Sequence, residues 1–226
     1  MCVYDIIQFL HGNFVLSVAK NLPMVKVVIP VLVLLSISVS IECRRNLRDY
    51  IVSHEYSSGL TREEFSVYDP VANSLLCRLE TSGYSYNRYT NLVMYPSYQT
   101  IGLIRDVWSP FSYQGYFNVL DDELNQWMSG YIFQRYRPQG FRLSIEYGGH
   151  VYIMENRLGS LITDIRDEQK PNYLLTRFQQ TYTDPLTGSM KYAVKVFTND
   201  LPDPIYMMAL YAYDSIASKK KLKPKP

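Results

Sequence analysis

The side chains best suited to catalysis or metal binding are few and far apart in this chain. Its three histidines, His11, His54 and His150, share no His-x-x-x-His spacing, and no Cys-x-x-Cys pair accompanies them. Zinc needs three or four nitrogen or sulfur ligands converging on one point, so this pattern argues against a metal site. There is no Gly-x-Ser-x-Gly elbow, no phosphate-binding glycine loop and no paired cysteine and histidine, so neither catalytic residues nor a cofactor are expected. Asp121-Asp122-Glu123 is the densest acidic cluster. It lies between Leu120 and Leu124, where a polar turn is needed in any case. His150 follows Gly148-Gly149, which reads as a hairpin turn with an exposed or turn-capping imidazole. Arg135 and Arg137 flank Tyr136, a placement that could meet a phosphate headgroup or simply be solvated edge charge.

Cations are concentrated at the carboxyl end. Lys219, Lys220, Lys221, Lys223 and Lys225 all fall in the last eight residues, and without them 18 basic residues face 21 acidic ones. A body of that balance argues against nucleic acid as a partner. The lysine run could touch an anionic phospholipid surface, at roughly 1 kcal/mol per residue near the surface. Its first members also suit the negative end of a helix dipole.

A helix must carry that run. Asp203 is a good N-cap and Pro204 fits the first turn, so a helix is expected over 203–217, followed by a basic tail over 218–226. Every residue from Ile205 to Tyr213 is apolar or aromatic, leaving no polar stripe at helical period. A rod apolar all round must be enclosed. Its apolar stretch is too short to span a bilayer, which takes about 20 residues. Enclosure within a closed β-barrel is the economical answer.

The preceding residues fit that answer. Period-2 alternation bounded by turn residues recurs along the chain. It begins with a weak strand over Asp49–Tyr56 and continues with segments starting near Phe65, Leu75, Tyr89, Thr100, Gln114, Gln126, Phe141, His150, Leu161, Tyr173 and Met190. The connections are short enough for antiparallel hairpins. Eight strands make a barrel filled by its own side chains; about twelve leave room for one helix. The expectation is an all-β domain over 44–217: a closed antiparallel barrel of about twelve strands around the C-terminal helix. The 21 tyrosines agree with a strand-rich fold.

Residues 1–43 read as a targeting or anchor segment. Lys26, the apolar run from Val27 to Leu35 and the small residues Ser38-Val39-Ser40 have the layout of a signal peptide starting at Met24. Arg44, Arg45 and Arg48 behind it, against Lys20 and Lys26 before it, favour instead an uncleaved anchor holding the domain in the cytoplasm. The chain is therefore expected to be membrane-associated or secreted. Cys43 and Cys77 could form a disulfide in an oxidising compartment or remain thiols in a reducing one.

A family resemblance adds to this. Glu64-Phe65-Ser66-Val67-Tyr68-Asp69 followed by Leu75-Leu76-Cys77-Arg78-Leu79-Glu80 resembles the opening hairpin of LURP-one-related proteins. Ile101-Gly102-Leu103-Ile104 with Trp108-Ser109-Pro110-Phe111 is similar to a stretch of the phospholipid scramblases. Thr183-Asp184 through Phe197 into Asp203–Asp214 resembles the closing strand and buried helix of both. The resemblance, over roughly residues 48–217, is to the tubby C-terminal-like superfamily, and implies a twelve-stranded barrel around a hydrophobic helix that associates with membrane lipid. The scramblases' acidic calcium loop is reduced here to the single carboxylate of Asp184-Pro185-Leu186-Thr187-Gly188, where calcium needs several oxygen ligands. The expected function is a non-enzymatic, phospholipid-binding barrel module. The alternatives are scramblase-like lipid translocation and a secreted structural or protein-binding barrel.

Overall fold

The computed structural model describes residues 46–56, 63–82, 89–107, 109, 112–121, 125–138, 140–183 and 189–221. Residues 1–43, read from the sequence as a targeting or anchor segment, lie outside these residues. The described ones belong to the unit that begins at Arg45.

Twelve strands follow one another: β1 (Arg48–Tyr56), β2 (Glu63–Tyr68), β3 (Leu75–Ser82), β4 (Tyr89–Met94), β5 (Gln99–Val107), β6 (Gln114–Asp121), β7 (Gln126–Gln134), β8 (Phe141–Tyr147), β9 (His150–Asn156), β10 (Ile162–Asp167), β11 (Leu174–Thr183) and β12 (Met190–Val196). Each pairs antiparallel with its sequence neighbours, and β1 pairs with both β2 and β12, so the sheet closes. Closure leaves no edge strand to pair with another chain. The helix α1 (Asp203–Lys221) follows β12 into the interior.

Alternation explains which side chains face α1. In β12, Met190, Tyr192, Val194 and Val196 are buried while Lys191 and Lys195 are exposed. The rod meets this lining on every side: all eight residues from Ile205 to Ala212 are at most 3% exposed. Each large side chain so enclosed contributes roughly 1.5–3 kcal/mol of transfer free energy. The barrel is therefore filled, by helix and wall together.

Two boundaries differ from the sequence expectation. Strand β7 ends at Gln134 rather than Tyr136, because the chain leaves the ladder ahead of Pro138, which can donate no backbone hydrogen bond. Helix α1 runs to Lys221, four residues beyond Ala217. Ser218 and three lysines contain no breaker, and cations at the last turn suit the helix dipole. The turn Gly148-Gly149 is the two-residue hairpin its sequence implies, with φ of +58° and +78°, the left-handed pair such turns require.

Candidate functional site

Polar pins fix the rod at both ends. At its start, Arg48 Nη2 lies 2.8 Å from Asp203 Oδ1 and the Tyr50 hydroxyl donates to Asp203 Oδ2. Arg48 Nη1 also donates to Asn199 Oδ1 at 2.6 Å. Burial, with Asp203 close by, pushes the Tyr50 hydroxyl up from its ordinary value. A recess of about 260 Å³ opens beside this pin, lined by Tyr50, Cys77, Met94, Leu120, Pro204 and Met207 among others. The Cys77 thiol there is pushed up to about 12, by burial first and by Asp203 second, which makes it a poor nucleophile.

Toward its carboxyl end the rod carries its own polar groups into the wall. Asp214 is 1% exposed, with His54 Nδ1 2.9 Å from its Oδ2 and the Tyr192 hydroxyl donating to its Oδ1 at 2.8 Å. The His54 ring stacks on Phe65, centroids 4.1 Å apart. One turn earlier, the Tyr211 hydroxyl is 3.1 Å from Thr90 Oγ1, and Tyr113 donates to Asp106 at 2.6 Å. His54 lies toward the end of β1, and Thr90 and Tyr192 lie near the starts of β4 and β12. Odd strands finish and even strands begin at the barrel end where α1 emerges.

That end carries an exposed rim. The β7–β8 connection presents Arg135, Tyr136, Arg137 and Pro138; the β9–β10 connection presents Arg157, Leu158 and Leu161. The two connections touch: a Cβ on Gly140, whose φ is +94°, would lie 2.3 Å from the Asn156 carbonyl oxygen, so only glycine fits this approach. Asn156 Nδ2 holds the second connection in shape by donating to the carbonyls of Ser160 at 2.9 Å and Ile162 at 3.0 Å. The tips are apolar and bare: Tyr136 is 92% exposed, Leu158 81% and Leu161 61%. A space of about 570 Å³ between the connections is lined by Arg137, Pro138, Arg157 and Leu158.

A groove of about 480 Å³ runs from the rim across the outer face of β8, β9 and β10, with Arg142, Glu155, Arg157, Asp164, Arg166 and Glu168 on its walls. Most of its charge is already matched. Arg137 Nη1 donates to Glu155 at 2.7 Å, Arg135 pairs with Glu168, and Asp164 accepts from both Arg166 and Arg177. Burial alone would raise the Asp164 carboxyl, but hydrogen bonds from Arg177 and Arg166 hold it below the ordinary carboxylate value. Arg142 and Arg157 make no ion pair among the described residues, and of the two it is Arg157 that lies exposed on the rim, open to a ligand.

The sequence candidates fall as follows. The backbone of Lys219, Lys220 and Lys221 forms the last turn of α1, at the rim end of the barrel, while Lys223 and Lys225 lie outside the described residues. Arg135 and Arg137 sit on the rim, each paired with a carboxylate. Cys77 is a half-buried thiol on β3; Cys43, its candidate disulfide partner, lies outside the described residues. His150 is exposed at the start of β9. Asp121 ends β6 at the opposite end of the barrel, and Asp122 and Glu123 lie outside the described residues, as do Trp108, Pro110, Phe111 and Asp184–Gly188. Among the described residues no three His, Cys, Asp or Glu side chains come together to hold a metal ion, and no helix is long and apolar enough to cross a membrane.

Sequence reasoning missed the His54–Asp214 pair, although a lone carboxylate inside an otherwise apolar rod was a readable signal that a partner must face it. The Arg157–Leu158 tip was missed too, since nothing in the sequence brings it beside Tyr136. The chain matches no protein-family model, no curated protein and no solved structure.

Proposed function

We propose that this barrel is a non-enzymatic membrane-associated module of the tubby-like kind, which binds anionic phospholipid headgroups through the end at which α1 emerges. One observation carries the reading: the bare apolar tips Tyr136, Leu158 and Leu161 share that end with Arg137, Arg157 and the lysine-bearing last turn of α1. Apolar tips entering the acyl boundary while cations stay at headgroup level is how peripheral surfaces hold a membrane. The filled interior supports a binder rather than a conduit, because α1 occupies the space a lipid would need.

The test is flotation of the full chain with neutral vesicles and with vesicles containing anionic lipid, at low and high salt. Binding to the anionic vesicles should fall steeply with salt, and Arg157→Glu combined with Leu158→Ser should weaken it at least about tenfold, with Lys219–Lys221 reversed to Glu adding further loss. Unchanged binding in both variants would sink the proposal. Lipid exchange between leaflets appearing on reconstitution would favour translocation instead.

A further inference from the structure

We infer that the outer wall of β5–β8 is a two-fold contact between two copies of this chain. The inference does not depend on the membrane reading. Strand register places one residue from each of five strands in a single outward row. Tyr89 faces Arg105, Arg105 faces Tyr116, Tyr116 faces Tyr131, and Tyr131 faces Glu146. Tyr116 is 58% exposed, and Arg105 and Glu146 are both exposed. Outward aromatic rings and arginine are the residue types that carry protein contacts.

The charge pattern of the row selects the partner. Arg105 lies over the Tyr89 ring, 5.2 Å from its centroid, and makes no ion pair among the described residues; neither does Glu146. The two stand three strands apart on either side of the central pair, Tyr116 and Tyr131, whose rings are 4.7 Å apart. A two-fold axis running along the strands between β6 and β7 reverses the row onto itself. Tyr116 then lies over the second copy's Tyr131, and Arg105 over its Glu146, twice per dimer. The neighbouring row obeys the same operation: Asn118 and Ser129, already hydrogen-bonded to each other at 2.7 Å, are exchanged. A surface that is its own complement under such a rotation is what an isologous dimer requires. The wall is convex, so the central Tyr116 and Tyr131 rings meet first, and the Arg105 side chain reaches toward Glu146 across the widening flank. Four strands at about 4.8 Å spacing span only about 19 Å. That footprint puts the contact in the small, weak class, dissociating in the micromolar range or above.

The experiment is analytical ultracentrifugation of the full chain in density-matched detergent over a concentration series. Wild type should pass from monomer to dimer. Arg105→Glu alone turns the row into two carboxylates and Glu146→Arg alone turns it into two cations. Each single variant should therefore weaken self-association at least about tenfold. Mixing the two variants should restore dimers, because every flank contact is then between opposite charges, and this rescue also shows that both variants are folded. A monomeric wild type would overturn the inference. So would dimers that persist in both single variants, which would assign association to another segment, or singles that fail to pair when mixed.

Discussion

Deleting the carboxylate of Asp214 should cost more stability than any comparable truncation on the barrel surface. Asp214 and His54 are 1% and 0% exposed, and the carboxylate takes contacts at 2.8 Å from Tyr192 and 2.9 Å from His54. Asp214→Ala leaves two buried polar partners facing a void. Orphaning one buried polar group costs about 1–3 kcal/mol, and here two such groups, His54 and Tyr192, lose the same partner. An expected loss of about 2–6 kcal/mol is a large share of the 5–15 kcal/mol typical of a domain. Urea unfolding followed by far-ultraviolet circular dichroism should show a lowered midpoint at unchanged slope. The triple variant His54→Phe, Tyr192→Phe, Asp214→Leu removes this carboxylate together with both of these partners. It should recover most of the loss, because an apolar replacement of a whole buried network is often neutral or stabilising. The phenyl ring can also keep the stack on Phe65. If Asp214→Ala costs less than about 1 kcal/mol, or the triple variant is no more stable than the single one, the pin does not hold the rod as argued.

Gly130→Ala should lower the melting temperature strongly, since the new Cβ would lie 2.1 Å from Phe117 Cζ and 2.6 Å from the Glu146 carbonyl oxygen. Overpacking of this kind costs about 1–3 kcal/mol, and a drop no larger than that of Gly159→Ala, which pays only for a φ of +79° with nothing within 4 Å, would count against it. Asp164→Asn should destabilise near neutral pH and cease to matter in acid. The folded-state carboxyl sits below its ordinary value of 3.8, so its stabilisation is present above that value and is lost as pH falls through the lower, folded one. A pH-independent difference between wild type and Asp164→Asn in unfolding midpoints would contradict this.

The fold was legible because its two signals are one-dimensional. An uninterrupted apolar rod from Ile205 to Tyr213 has one environment open to it, and alternation such as Met190-Lys191-Tyr192 declares both a strand and its inward face. The ends of elements were less legible. Whether β7 stops at Gln134 or Tyr136 depends on whether Arg142 still pairs with Arg135, which it does through one backbone hydrogen bond at 3.0 Å after the ladder has ended. The tyrosine row was not legible at all. A strand slipped by two residues keeps the same inward face, so sequence alone could not set Arg105 beside Tyr116 or Tyr131 beside Glu146.

The same reasoning explains why the overall charge balance says so little about this protein's surface. Its barrel wall places cations and carboxylates opposite one another. Arg137 is matched to Glu155, Arg135 to Glu168 and Asp164 to two arginines, so much of the charge on this side of the barrel cancels where it stands. What remains able to recruit a ligand is the unmatched remainder, and it is not spread evenly. Arg157 at the rim keeps its charge free beside the apolar tips, and Arg105 and Glu146 keep theirs on the side wall. With the interior closed by the rod, recognition must use the outer surface. Arg157, Arg105 and Glu146 mark two faces of different kinds on it: a cationic, apolar-tipped end suited to an anionic surface, and a neutral, self-complementary wall suited to another copy of the chain.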